Sequence, residues 1–267
     1  MPKPLIEDDL WTRIEPLLPK KQRRKRYAGR QPLEDRLVLS GILFVLRSGI
    51  PWEMLPKEMG CGSGMTCWRR LKYWQRRGVW RRLHQVLLSE LRGAEKLDFS
   101  RAVADSSSIR AVGAGKKSGP NPTDRRRPGS KHHLLTDAQG VPLSVVLTKA
   151  NRNDVTQLVP LLEAVPPIAG QRGAPKRKPM LIQADRAYDS DPLRKSLAER
   201  GIDTQIARRN TPHGSGLGKT RWVVERTIAW LHQFRRLRVR YERLPSLHEA
   251  FLMLGACLIC WRFVKAA

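Results

Sequence analysis

Met180-Leu181-Ile182-Gln183-Ala184-Asp185 is a short apolar run that ends on a carboxylate. A basic stretch rich in proline and glycine, Pro166 to Pro179, precedes it. A helical pattern from about Pro192 to Arg200, closed by Gly201, follows it. An apolar run of this length between such signals predicts a buried strand. Ala102-Val103-Ala104 repeats the arrangement and ends at Asp105. His132 to Thr136 and Val141 to Lys149 read as a hairpin around the turn Asp137-Ala138-Gln139-Gly140, and residues 110 to 130 as a long loop. Asn153 or Asp154 is placed to cap a helix holding Leu158, Leu161 and Leu162, and Ile202 to Ala207 is a fifth strand. Helices over about Lys219 to Arg236 and Ser246 to Val264 follow. The order after residue 95 is strand, strand, strand, helix, strand, helix, strand, helix. It predicts an α/β fold, a mixed sheet flanked by helices.

Residues 1 to about 93 carry helix signals alone. Ile6, Leu10, Ile14 and Leu17 recur at helical spacing, and Pro16 and Pro19 end that segment. Six of the seven residues from Lys20 to Arg26 are basic and read as a loop or arm. The next helix has Pro32, Glu34 and Asp35 near its first turn, Leu37, Val38, Ile42, Val45 and Leu46 along it, and Gly49 at its end. A short helix from Pro51 to Met59 leads to the turn Gly60-Cys61-Gly62-Ser63-Gly64, then to helices over about Met65 to Arg77 and Val79 to Arg92. The chain divides accordingly into a small all-α domain, residues 1–95, and an α/β domain, residues 96–267.

The 267 residues carry 51 Lys and Arg against 24 Asp and Glu, a formal net charge of +27. That balance argues against an enzyme of small neutral substrates and favours a polyanionic partner, nucleic acid or an acidic membrane surface. A hydrophobic share of 40 % with 8 Trp argues against a disordered basic tail. The first ten residues lack the apolar core of a secretory signal. The longest apolar run, Ala250 to Trp261, falls short of the roughly 18–20 residues a spanning helix needs, so a buried helix in a cytoplasmic protein is expected. Cys257 and Cys260 sit in that run beside Leu258, Ile259 and Trp261 and read as core residues rather than zinc ligands.

The helices around the glycine-rich turn resemble a helix-turn-helix. The second carries Arg69, Arg70, Lys72, Arg76 and Arg77 interleaved with Trp68, Tyr73 and Trp74. Such a helix suits a DNA groove, its cations neutralising phosphates.

In so basic a chain, an acid inside an apolar strand needs an explanation. Asp105 and Asp185 both stand at the carboxyl ends of predicted strands, where open α/β sheets place ligand sites. Glu225 lies in a helix whose core face is Val224, Ile228 and Leu231; Arg221, Glu225 and His232 fall on or near another stripe of that helix. Hard Mg2+ prefers oxygen ligands, and two such ions suit the attacking and leaving oxygens of a phosphodiester. Together the three acids point to a two-metal site set among cations that hold DNA.

Several stretches carry a family resemblance: Gly49-Ile-Pro-Trp52-Glu-Met-Leu-Pro56, Val103-Ala-Asp105-Ser-Ser, Ala184-Asp185-Arg-Ala-Tyr188-Asp189, Arg221-Trp-Val-Val-Glu225-Arg-Thr, then Trp230-Leu231 and Arg235-Arg236-Leu237. The chain resembles bacterial insertion-sequence DDE transposases of the insertion-sequence-five family. Their helical N-terminal domain precedes a ribonuclease-H-like catalytic domain. The resemblance implies that Asp105, Asp185 and Glu225 form the catalytic, metal-binding triad for two Mg2+ or Mn2+ ions. It implies cleavage at insertion-sequence ends, followed by attack of the freed 3′-hydroxyl on target DNA. Its partners would be double-stranded DNA, end repeats and target alike, and a second copy of the chain in a dimer or larger assembly. The wider family pattern spaces Tyr, Arg, Glu and Lys along the last catalytic helix. Here Arg221 and Glu225 match, while Gly218 stands at the Tyr position and His232 at the Lys position. Arg221, His232, Arg235, Arg236 and the loop residues Lys116 and Lys117 join the basic helix as expected DNA contacts. A nuclease or resolvase of the same fold, or a non-catalytic DNA-binding relic, are the alternatives.

Gly214-Ser-Gly216-Leu-Gly218-Lys219-Thr220 resembles the end of a phosphate-binding loop, but the earlier glycine that motif requires is His213. A hinge or DNA-contacting loop is the better reading. His132 and His133 read as structural.

Overall fold

In the computed structural model, which describes residues 4–20, 31–210, 216 and 218–266, β1 (Arg101–Ala111) is the hub of the sheet. The other strands are β2 (Gly119–Pro120), β3 (Pro128–Asp137), β4 (Pro142–Lys149), β5 (Leu181–Ala184), β6 (Asp203–Ile206) and β7 (Val239–Arg240). β3 runs antiparallel to β1 and to β4, and β2 pairs with the first residues of β3. On its other side β1 pairs in parallel with β5, and β5 with β6. The principal order is thus β4-β3-β1-β5-β6, a three-strand meander extended by two parallel strands, the mixed sheet flanked by helices that the sequence predicts.

The helices are α1 (Asp8–Ile14), α2 (Asp35–Ser48), α3 (Gly64–Arg76), α4 (Val79–Gly93), α5 (Leu158–Glu163), α6 (Asp191–Glu199), α7 (Gly218–Gln233), α8 (Arg235–Arg238) and α9 (Pro245–Lys265). α2 ends where Gly49 adopts the left-handed conformation at φ 76°, as a C-terminal glycine does. Ser63 caps α3 through Thr66 N–H. Gly64 opens that helix because a Cβ there would lie 1.7 Å from Trp52 O. One hydrophobic core runs through both halves of the chain, from Ile6, Leu39 and Leu71 to Val103, Leu143 and Ile259. α9 packs between α3, α4, β4 and α7. It is long and apolar enough to cross a membrane, but 72 % of its most apolar window is buried inside the protein.

Five expectations change. β1 does not stop at Asp105: pairing with β3 carries it on to Arg110, so Asp105 lies mid-strand. The expected helix from Pro51 to Met59 is two single 3-10 turns, Trp52–Met54 and Lys57–Met59, parted by Pro56, so the element before the glycine-rich turn is not a recognition-motif helix. α2 starts at Asp35, leaving Pro32 outside it. α7 ends at Gln233; Phe234 turns to extended backbone, and α8 hands the chain to β7, which pairs with Arg110 and Ala111 of β1. Asn153 makes no side-chain cap, and the Asp154 carboxylate bonds to β1 and β3 instead. The basic arm beyond Lys20, His213 and the glycine-rich stretch other than Gly216 and Gly218 onward lie outside the described residues.

Candidate active site

The parallel ladder between β1 and β5 ends at the pair Val103–Gln183. Beyond it the strands part, and Asp105 and Asp185 stand on either side of the gap. α7 lies over this opening. Gln183, buried in β5, donates through Nε2 to Thr220 Oγ1 in the first turn of α7 at 2.7 Å. Further along α7, Thr227 Oγ1 donates to Gly140 O at 2.7 Å, and Arg226, lying between the Trp222 and Trp230 rings, donates to Gln139 O. These bonds fix the helix that presents Arg221 and Glu225.

Arg221 is the centre of the cluster. Its Nη2 donates to Glu225 Oε1 at 3.0 Å, and its Nη1 stands 4.0 Å from Asp105 Oδ1 and 3.9 Å from Asp185 Oδ2. Three acids from two strands and a helix therefore converge on one guanidinium. Among the described residues, no three His, Cys, Asp or Glu side chains are close enough together to hold a metal ion as they stand. Burial pushes the Asp105 carboxyl up to about 6; the Ser106 N–H and Arg221 oppose that shift, while Asp185 and Glu225 add to it. Asp185 also caps the 3-10 turn Arg186–Tyr188, its Oδ1 accepting Ala187 N–H at 2.9 Å. All the donors facing the gap are carboxylate oxygens, a set suited to hard divalent cations.

The expected DNA contacts separate into two groups. Arg69, Arg76, Arg77, Lys116, Lys117 and Arg235 are exposed. Lys72 is half-buried with its Nζ 5.1 Å from the Trp68 ring, and Lys117 pairs with Glu249. Arg70, by contrast, is bonded to Asp35 of α2. Arg236 is buried: it pairs with Glu242 at 2.8 Å and donates to Gly49 O and Ile50 O, which removes it from any DNA surface. The loop carrying Lys116 and Lys117 lies away from Asp105. It leaves the far end of β1 and packs on Tyr241 and Arg243. His232 lies half-buried toward His132, ring centroids 6.0 Å apart, rather than in the gap. His132 and His248 share a 2.8 Å contact between their Nε2 atoms, and His133 reaches Thr148, so both strand histidines are structural as expected.

Sequence reasoning did not single out Gln183, which ties β5 to α7, or Ser106, whose N–H bonds Asp105 Oδ1. A glutamine inside Leu181-Ile182-Gln183-Ala184 was as visible a signal as the aspartate after it.

Residues 97–261 match the family model described as "Transposase DDE domain", and residues 6–84 match one described as "Putative transposase of IS4/5 family". The chain is 63 % identical over 151 residues to the "Putative transposase for insertion sequence element IS402" of Burkholderia cepacia, across 57 % of this chain and 72 % of that protein. It is 61 % identical over 129 residues to the "Insertion element IS402 uncharacterized 16.2 kDa protein" of the same organism, across 48 % of this chain and 88 % of that one. The crystal structure of the Mos1 Strand Transfer Complex aligns with 90 % of this chain and 79 % of that chain at 13 % identity and TM-score 0.34, a likeness too faint to add to the topology above.

Proposed function

The chain belongs to the transposase DDE-domain family, and from that premise we propose that it cuts DNA at the ends of an insertion sequence and joins the freed 3′-hydroxyl to target DNA. Asp105, Asp185 and Glu225 are the carboxylates that hold two divalent cations, Mg2+ or Mn2+. When bound, such ions supply activation of the attacking oxygen and stabilisation of the leaving oxygen of a phosphodiester. The oxygen-only donor set supports this fit. So does the desolvated Asp105, whose carboxylate is stabilised by a nearby cation. In the structure Arg221 supplies that cation, and we assign it a second duty as a phosphate contact. The observation that carries the proposal is the convergence of three acids on Arg221.

The helical part, residues 1–95, is assigned to DNA binding through the exposed Arg69, Arg76 and Arg77, with Lys72 beside them. The two family models end at residue 84 and begin at residue 97, which supports a division at 95/96. A chain of charge +27 suits double-stranded DNA, and its place is with the nucleoid in the bacterial cytoplasm. Two ends must be held at once, so a dimer or larger assembly on DNA forms part of the proposal.

The test is an assay on DNA flanking the chain's own gene, with and without Mg2+ or Mn2+. Metal-dependent cutting followed by joining to a plasmid is expected. Cutting without joining would make the chain a nuclease or resolvase. DNA binding with no cutting in either metal would make it a relic.

A further inference from the structure

Asp105 and its neighbour Ser106 have polar partners on opposite faces of the sheet. Side chains alternate along a strand, so Asp105 faces α7 while Ser106 faces the reverse side. On that side Ser106 lies opposite His133, and Ser108 opposite Lys131. Asp154, which opens the 3-10 turn Asp154–Gln157, reaches into this group. Its Oδ1 accepts Ser106 Oγ–H at 2.8 Å. Lys131 Nζ donates to both carboxylate oxygens, at 3.0 and 3.1 Å, and His133 Nδ1 stands 3.5 Å away. The Asp154 side chain is only 16 % exposed, so its charge is balanced within the cluster rather than by water. Tyr188, buried at 1 % exposure, sits beside Ser106 and toward Asp154, Asp105 and Asp185.

The link to the gap runs through one residue. The Ser106 backbone N–H donates to Asp105 Oδ1 at 2.8 Å. The β1–β5 ladder has already ended at Val103, so β5 does not hold this part of β1. β3 pairs with one edge of it, and Asp154 adds a side-chain hold on Ser106 from the reverse face.

We propose that Asp154 is a positioning residue: it anchors Ser106, whose N–H orients the Asp105 carboxylate for cation binding. The inference rests on the reading of Asp105 as a metal-binding carboxylate. Groups that hydrogen-bond a metal ligand set its orientation, and their loss commonly costs about 10–100-fold in metal affinity or activity.

The test uses the full chain with Mn2+ as the probe, in the variants S106A, D154A, D154N, the double variant S106A/D154A and D105N. Mn2+ affinity is read by calorimetry, DNA affinity by anisotropy, cleavage rate on end DNA, and folding by thermal unfolding. S106A removes one hydroxyl and leaves the Asp154–Lys131 pair, so it reports on the link even if D154A folds poorly. S106A and D154A are each expected to weaken Mn2+ binding and slow cleavage by about tenfold or more, with DNA affinity unchanged. The double variant is expected to be no worse than D154A, since both changes break one link. D154N, whose amide oxygen still accepts the Ser106 hydroxyl, is expected to recover part of the loss. Wild-type Mn2+ affinity and rate in S106A, beside a D105N variant that has lost both, would overturn this inference alone. A D105N variant that still binds Mn2+ and cuts would overturn the reading of Asp105 and this inference with it.

Discussion

Asp105 and Asp185 stand level with each other, each two residues beyond the Val103–Gln183 pair that closes the ladder between β1 and β5. The chain leaves β1 toward β3 on one side, while β5 joins it on the other, so the two acids flank the point where the sheet changes direction. Crevices at such points are where open α/β sheets place ligands. The gap also explains why Arg221 reaches both acids from above, at 4.0 and 3.9 Å.

If the three acids carry the chemistry, D105N, D185N and E225Q each lower the rate of end cleavage by at least about a thousandfold. DNA affinity stays equal or rises, because each change removes a negative charge near a phosphate. Single-turnover cleavage and anisotropy on the same DNA check this. Near-normal cleavage by one variant removes that residue from the triad.

Arg235 and Arg236 are adjacent in sequence but differently placed, and Arg235 is exposed. Arg236 is buried against Glu242, their side chains 6 % and 2 % exposed. R236A leaves the buried Glu242 carboxylate with only the longer 3.5 Å contact to His248 Nδ1 and is expected to cost about 3 kcal/mol of stability. R235A is expected to change stability by less than about 0.5 kcal/mol while weakening DNA binding. Urea unfolding of both variants decides the matter; equal stabilities would contradict the buried pair.

Log affinity for DNA against log salt gives a steep line in the wild type. R69A, R76A and R77A each make it shallower by about 0.9 where the residue meets a phosphate of duplex DNA. R70A behaves differently: it loses the bond to Asp35 and lowers stability, with little effect on the slope. A flat wild-type plot would remove α3 from DNA recognition.

Acid destabilises this fold through its histidines. Burial lowers His84 to about 4, its Nε2 2.8 Å from Pro142 O, and also lowers His132, His133, His232 and His248. A histidine with a depressed folded pKa binds more protons unfolded. The stability these histidines contribute is therefore full above about pH 6.5 and falls as pH drops, by up to about 1.4 kcal/mol per pH unit for each such group, while Asp105 and Asp137, pushed up to about 6, act in the opposite sense. For His84 the loss levels off below about pH 4. H84Q, which keeps a donor toward Pro142 O, is expected to flatten the curve by one proton. Denaturant midpoints between pH 7 and pH 5 measure this; an unchanged slope in H84Q would contradict it.

Acids are scarce enough in this chain that three of them inside apolar elements stood out, and the parallel strands followed from their short apolar runs. The length of β1 was hidden for a physical reason. Beyond Ala104 it reads Asp105-Ser106-Ser107-Ser108, polar on both faces, because α7 covers one face and the Asp154 cluster the other. Alternation cannot report a strand whose two faces are both polar. Asp154 read as a helix cap, since nothing local reveals that its partners lie on β1 and β3. Arg236 could not be told from Arg235, because only the fold brings Glu242 and Gly49 to one of them.

α9 comes last in chain order yet fills the middle of the molecule, against α3, α4, β4 and α7. A product that stops before Pro245, after a frameshift or a premature stop codon, leaves Leu87, Leu88 and Leu143 without the surface they pack on. Such fragments are destined for aggregation or proteolysis. Synthesis through α9 is therefore needed before α4 and the sheet have the surface on which they close.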